Sequence, residues 1–285
     1  KVVFNMFQES EWVMMVSSQQ RPVLLPMSEL WEERVRRVHF AYQPIVDRDG
    51  RTIHGIEALL RGVESAGFDS IPAFFDLAHE DEVLHAVDLA LRHRVLTECT
   101  GLIKYGGCRL FYNLDARCVI DSRHTPGQTE AMLEHLGLDR GMVVLEINEQ
   151  HPLRPGAYFE QMLETYRDQG YRIALDDYGV GFSHLQSLFM TAPDYLKIDR
   201  YFVDGIDLDP KRQFFVRRLI DFARDLGSRV VVEGVETAGE RDCCIQLGAD
   251  FLQGYLLCRP TPSIVDRVEM DASRGLAVLR RQRVA

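Results

Sequence analysis

Short apolar runs rich in Val, Ile, Leu, Phe and Tyr recur along the chain from Val38 onward, separated by longer stretches whose apolar residues return every three or four positions. The short runs predict eight strands, at 38–46, 52–60, 109–114, 142–147, 172–177, 194–199, 229–234 and 250–255. Between most of them, amphipathic stretches predict helices at 72–84, 85–104, 127–136, 156–169, 183–190, 210–226 and 238–247. Such alternation predicts the α/β class and a parallel α/β barrel, because each parallel strand needs a crossover to bring the chain back to its starting end. The first two strands depart from this rule. Only Asp47-Arg48-Asp49-Gly50-Arg51 joins them, which suits a hairpin, so one of the eight strands is predicted to run antiparallel to its neighbours.

Residues 1–36 have a different texture, with Met and Gln, Pro22 and Pro26, and then a short helix from Ser28 that places Trp31, Val35 and Val38 at i, i+4 and i+7. They read as a linker or helical segment from a longer protein, followed by the barrel at 37–270 and a C-terminal tail at 271–285. The chain starts at Lys1 without a secretory pattern, so an upstream sensory or regulatory domain is expected. The longest apolar run near the start, Trp12 to Val16, is far too short to span a bilayer, and no membrane segment is predicted.

Composition narrows the function. A chain of 285 residues with 46% hydrophobic residues can fill one large barrel. Its formal net charge of -10, without a basic block, argues against a nucleic-acid polymer as partner; an anionic substrate would be held locally, by metal ions and a few arginines. Six cysteines contain no C-x-x-C pair and read as reduced thiols of a cytoplasmic protein.

Polar residues interrupt the apolar strands at one depth. Glu57 ends an apolar strand, Asn113 follows Leu110-Phe111-Tyr112, and Glu146 follows Val143-Val144-Leu145. Asp176-Asp177 follow Ile173-Ala174-Leu175, Lys197 follows Tyr195-Leu196, Glu233 follows Val230-Val231-Val232, and Gln253 follows Phe251-Leu252. The carboxyl ends of barrel strands share one face, so these groups are expected to converge on one pocket. A period of two adds Leu59 and Arg61 on the side of Glu57, and Asp199 on the side of Lys197. Taken singly, a strand carboxylate is more often an ion-pair or edge residue than a ligand, and Asp176 to Gly181 would pass for a glycine turn. Neither reading explains the common depth.

Glu57, Glu146, Asp176, Asp177 and Glu233, with the amide of Asn113, would repel one another unless cations bind among them. Oxygen donors without His or Cys favour Mg²⁺ or Mn²⁺ over Zn²⁺, and two adjacent aspartates suit a pair of ions, the usual device for phosphodiester hydrolysis. The nine histidines carry no zinc signature, Ser183 and Ser187 lack a partnered His, and Gly179-Val180-Gly181 is too short for a dinucleotide loop.

Together these residues resemble the EAL domains of bacterial cyclic di-GMP signalling. The resemblance rests on Tyr42-Gln43-Pro44-Ile45-Val46, Glu57-Ala58-Leu59-Leu60-Arg61, Leu145-Glu146-Ile147-Asn148-Glu149 and Asp176-Asp177-Tyr178-Gly179-Val180-Gly181. It continues through Leu196-Lys197-Ile198-Asp199, Glu233-Gly234-Val235-Glu236 and Gln253-Gly254-Tyr255, in order from about Val38 to Pro260. The resemblance implies a modified TIM (β/α)8 barrel whose first strand is antiparallel. It implies one Mg²⁺ or Mn²⁺ on Glu57, Asn113, Glu146 and Asp176, and a second on Asp176, Asp177 and Glu233. By the same resemblance Lys197 orients the attacking water and Arg61 grips a phosphate. Gln43, Leu59, Asp199, Glu236 and Gln253 complete the substrate pocket, and Glu149 positions the loop from Tyr178 to Ser183.

The chain departs from the family pattern at Val232, at Phe111-Tyr112-Asn113-Leu114-Asp115 and after Arg61, where no aromatic follows; every ligand position is kept. The expected activity is hydrolysis of cyclic di-GMP to linear pGpG by a bacterial, cytoplasmic enzyme. A homodimer is expected from the family's habit, with the stripe Trp31, Val35, Val38 as a candidate accessory surface. Two alternatives stand beside it: a catalytically inactive cyclic di-GMP receptor, which loss of Glu57 or Asp177 would have signalled, and an enolate-handling barrel metalloenzyme, which leaves the Glu57 to Arg61 strand unexplained.

Overall fold

The computed structural model describes residues 25–115, 117–120, 127–148, 157–178, 188, 192–271 and 276–280. Eight strands close a barrel in chain order: β1 (His39–Asp47), β2 (Ile53–Arg61), β3 (Arg109–Asn113), β4 (Val143–Asn148), β5 (Arg172–Tyr178), β6 (Tyr195–Ile198), β7 (Arg229–Val232) and β8 (Phe251–Leu252). β1 runs antiparallel to β2 and β8, and every other pair is parallel. The hairpin that reverses it is built by its own sequence. Asp49 Oδ1 accepts the backbone N–H of Arg51 at 2.8 Å and of Thr52 at 2.7 Å, and Gly50 takes a φ of +68° that a side chain would resist.

Helices at Ile71–Glu80, Leu84–Gly106, Gln128–Leu136, Ala157–Asp168, Pro210–Asp225 and Ala238–Leu247 lie within a few residues of their predicted positions. Their starts follow local chemistry: Ser70 caps the first of them, Asp209 precedes Pro210 at the first turn of another, and Thr237 with Glu240 forms a capping box. The helix predicted at 183–190 lies outside the described residues apart from Leu188.

The structure differs from the sequence reading in three places. β8 keeps only two of six predicted residues, because Gly254 presses against the segment after β7, where an added Cβ would sit 2.1 Å from the Val235 carbonyl oxygen. Residues beyond 268 include a pair of antiparallel strands, β9 (Val268–Asp271) and β10 (Leu276–Leu279), and Val278 bridges back to Thr52 beside the first hairpin. The helix Glu29–Arg37 is present and capped by Ser28, but its apolar stripe faces inward. Trp31, Val35 and Val38 are 2%, 5% and 1% exposed, with Trp31 edge-on to Phe74 and its indole N–H donating to Asp81 at 2.9 Å. The stripe is therefore core, and it offers no surface to a second chain.

Inside the barrel, one apolar layer sets the level of the site. Ile45, Phe111, Val144, Ala174, Tyr195, Val231 and Phe251 pack together at the barrel's centre, while Gly55 completes the ring from β2. Gly55 is small for a reason: a Cβ there would meet the Phe111 ring at 2.4 Å. Two residues further along each strand, the next inward position carries a polar group.

Candidate active site

That two-residue step produces the whole constellation. From the apolar layer it leads to Gln43 on β1, read backwards because the strand is antiparallel, then to Glu57, Asn113, Glu146, Asp176, Lys197, Glu233 and Gln253. The ladder registers Gln43 against Glu57 and Asn113 against Glu146, which holds these side chains level. All lie at the carboxyl ends of the parallel strands, where a polar layer can sit above a packed plug.

Lys197 is the hub. Its side chain is fully buried, and Nζ lies 2.6 Å from Glu146 Oε1, 2.8 Å from Asp176 Oδ1, 2.8 Å from Glu233 Oε1 and 3.5 Å from Glu57 Oε1. Burial works against its charge, but the surrounding acids, Asp176 foremost, win and hold the ammonium well above its ordinary range. For Glu146, burial and then the neighbouring Glu57 push the carboxyl well above the usual carboxylate range. Burial likewise raises Glu233, with Lys197 opposing. One buried cation facing four acids leaves a surplus of negative charge that further cations would satisfy.

The amides fix the acids. Asn113 Nδ2 donates to Glu57 Oε1 at 3.3 Å and to Glu146 Oε2 at 3.2 Å; Gln253 Nε2 donates to Glu57 Oε2 at 2.5 Å and to Gln43 Oε1 at 3.1 Å. Gln43 in turn donates to the Cys258 carbonyl at 3.0 Å, anchoring this side of the ring.

Asp176 and Asp177 are adjacent, and in a regular strand they would point to opposite faces. A bulge resolves this. β5 and β6 pair at Leu175 with Leu196 and again at Tyr178 with Ile198, so two aspartates stand opposite the single Lys197. Asp177 takes a φ of +53°, a left-handed conformation rare for a residue with a side chain and concentrated at functional positions. Its carboxylate accepts a hydrogen bond from Asn148 Nδ2 at 2.7 Å, and burial, reinforced by Asp176, raises its pKa to about 6. Asn148 had no predicted role. Its signal was available, since it lies two residues beyond Glu146 and in register with Asp176.

Among the described residues, two acidic triads have ligand geometry: Glu57, Glu146 and Asp176, and Asp176, Asp177 and Glu233, with carboxylate oxygens within 4.8 Å of one another in each. Asp176 belongs to both. Glu146 Oε1 and Asp176 Oδ1 are buried, and each faces the Lys197 ammonium, at 2.6 and 2.8 Å. No histidine or cysteine joins either group, and all six cysteines are unpaired thiols. The donor set fits two hard divalent cations.

The remaining predicted residues are less central. Leu59 and Arg61 continue the Glu57 face of β2 and are half-buried, with Arg61 Nη1 donating to the Leu60 carbonyl at 2.8 Å. Asp199 caps the short helix Arg200–Val203 by accepting the Tyr201 N–H at 2.8 Å. Glu236 pairs with Arg200 at 2.7 Å. Glu149 and residues 179–183 of the loop assigned to it lie outside the described residues.

Comparison with known proteins agrees with this geometry. Residues 29–260 match the family model described as the EAL domain. A probable cyclic di-GMP phosphodiesterase of Escherichia coli K12, PdeG, is 30% identical over 236 residues, covering 82% of this chain and 46% of its own length. The chain thus spans about half the length of that relative. Among solved structures, the EAL enzyme Bd1971 with cAMP and cyclic di-GMP bound superposes with a TM-score of 0.71 at 29% identity, over 82% of this chain and 64% of the other. Klebsiella pneumoniae BlrP1, in its calcium and cyclic di-GMP complex, gives 0.68 at 29% identity, over 85% and 58%. With a closed barrel, a polar ring at its carboxyl end and a family match across most of its length, this chain belongs to the EAL domain family.

Proposed function

We propose that the chain is a cyclic di-GMP phosphodiesterase that hydrolyses one phosphodiester bond to give linear pGpG, using two divalent cations, Mg²⁺ or Mn²⁺. The carrying observation is the pair of acidic triads sharing Asp176 above the barrel plug. Support comes also from relatives named as cyclic di-GMP phosphodiesterases and from the structures of Klebsiella pneumoniae BlrP1 in complex with cyclic di-GMP and calcium or manganese.

Glu57, Asn113, Glu146 and Asp176 would hold one ion, and Asp176, Asp177 and Glu233 the other. Asn113 would turn its amide over, so that Oδ1 takes the place where Nδ2 now meets two carboxylates. Paired ions in such a site lower the pKa of bound water and stabilise charge on the phosphoryl oxygens. Lys197 orients the water by a hydrogen bond from Nζ and keeps the acids together. Arg61, at the open end of β2, grips a phosphate through a charge-assisted contact. Gln43, Leu59, Asp199, Glu236 and Gln253 line the substrate's site, and Glu149 sets the loop that begins at Tyr178.

The unit so defined is a barrel at 37–270 within a longer, cytoplasmic bacterial protein with an upstream sensory or regulatory domain; the unpaired thiols support a reducing compartment. A homodimer is part of this reading, and the buried stripe Trp31, Val35, Val38 is not its surface. Incubation with cyclic di-GMP and Mg²⁺, resolved by chromatography, is expected to yield pGpG, and a chelator to stop it. In Ca²⁺, which accepts longer and less regular ligand distances, binding should persist without cleavage. Binding without cleavage in every metal would make the protein a receptor, and unchanged hydrolysis in chelator would remove the metal from the mechanism.

A further inference from the structure

The segments that follow β6 and β7 are tied together by groups outside the carboxylate ring. Arg200 comes directly after Lys197-Ile198-Asp199, and its side chain lies across Gly234, where an added Cβ would meet Arg200 Cβ at 2.5 Å and Cγ at 2.6 Å. Gly234 has a φ of +66°, so both its conformation and this close approach call for glycine. From there Arg200 Nη1 donates to the Gly234 carbonyl at 2.6 Å and meets Glu236 Oε1 at 2.7 Å. A second tie runs beside it. Glu240, 3% exposed, accepts the Gly205 N–H at 3.0 Å on one oxygen, and those of Glu236 at 2.8 Å and Thr237 at 3.0 Å on the other. Both ties join residues 200–205 to residues 234–237. Glu233, whose Oε1 sits 2.8 Å from Lys197 Nζ, is the residue immediately before that clasped loop.

We infer that Arg200 is a positioning residue: by clasping Gly234 and Glu236 it holds Glu233 at the Asp176–Asp177 cation position without touching the cation or the substrate. The inference rests on the proposed two-metal reading of the ring. The two ties divide the labour. Glu240 is buried, satisfies three backbone donors and completes a capping box, so it carries the fold. Arg200 is 40% exposed on its side chain, where an ion pair adds little to global stability. Its guanidinium nevertheless serves a carbonyl and a carboxylate from one nitrogen, which fixes the loop's direction, and a lysine in its place would reproduce that grip only in part.

The test compares Arg200→Ala, Arg200→Lys and Glu240→Ala. Mn²⁺ alone is titrated into each protein, hydrogen exchange of the 233–237 amides is measured without metal, and turnover of cyclic di-GMP is measured with it. Arg200→Ala should keep a melting temperature near that of the parent while one of its two Mn²⁺ sites loses about 10- to 100-fold in affinity. Its 233–237 amides should exchange faster, kcat should fall in the same proportion, and Arg200→Lys should lie between. Mn²⁺ affinities, exchange and kcat all at parental values in Arg200→Ala would overturn the inference. So would a melting temperature that falls as far as in Glu240→Ala, because the residue would then be structural. Should the parent protein leave cyclic di-GMP intact, the Mn²⁺ and exchange measurements decide on the clasp independently of the reaction.

Discussion

Replacing Lys197 with Met removes the buried charge on which the ring depends. Nζ stands within 3.5 Å of oxygens from Glu57, Glu146, Asp176 and Glu233, and among the described residues no other cation pairs with any of the four. Breaking a buried ion pair from one side costs about 3 to 5 kcal/mol, because the partner charge stays behind uncompensated. Here four acids stay behind. In part they escape the cost by taking up protons, which burial already favours at Glu146 and Glu233. At about 2 to 4 °C per kcal/mol for a domain of this size, Lys197→Met should melt about 6 to 20 °C below the parent in chelator. Saturating Mn²⁺ places new positive charge among the same oxygens, so the gap should shrink to a few degrees, although turnover stays lost. Differential scanning fluorimetry of both proteins, with chelator and with Mn²⁺, reads this out directly. A gap of the same size in both conditions, or no gap in chelator, would refute the reasoning, because the acids would then not be sharing one site between lysine and metal.

Three further outcomes follow from other layers of the barrel. Below the plug, His54 stacks on Phe251 at 3.7 Å and shares a hydrogen bond with Tyr195, and burial, aided by Arg109 and Arg229, lowers its pKa to about 3. The folded protein keeps it neutral where the unfolded chain takes a proton below about pH 6.5, so its contribution is intact above pH 6.5 and is lost as pH falls toward 3. Urea unfolding should show about 2 kcal/mol less acid destabilisation between pH 7 and pH 5 in His54→Gln than in the parent; equal losses would mean that His54 is protonated in the fold. Gly55→Ala, which forces a Cβ into the Phe111 ring, should cost about 1 to 3 kcal/mol by the same assay, and an unchanged midpoint would show that the plug is loose. Arg61→Ala should weaken cyclic di-GMP binding in Ca²⁺ by about 1.5 to 3 kcal/mol in calorimetry, and an unchanged dissociation constant would give Arg61 a structural role.

The strands and most of the ring were legible because a barrel turns a period of two into depth. Each polar group stands two residues beyond an apolar one, and that spacing survives in the bare sequence from Gln43 through Gln253. What escaped depends on contacts between distant segments. The β5 bulge that brings Asp176 and Asp177 to one side is a mismatch between two strands, and only the doublet itself hints at it. Asn148 finds its purpose in Asp177, 29 residues away in sequence. The stripe Trp31, Val35, Val38 is apolar whether it faces Phe74 or a second molecule, so its pattern left its partner open. The Arg200 clasp is likewise invisible locally, because its partners follow a different strand.

The two-metal claim is tested most directly by counting. Mn²⁺ bound at saturation should be two per chain in the parent and one in Asp177→Ala, which removes a ligand from a single triad, and cyclic di-GMP turnover in that variant should vanish while its one remaining ion stays bound. A parent that binds a single Mn²⁺, or an Asp177→Ala protein that still forms pGpG at the parental rate, would contradict the account.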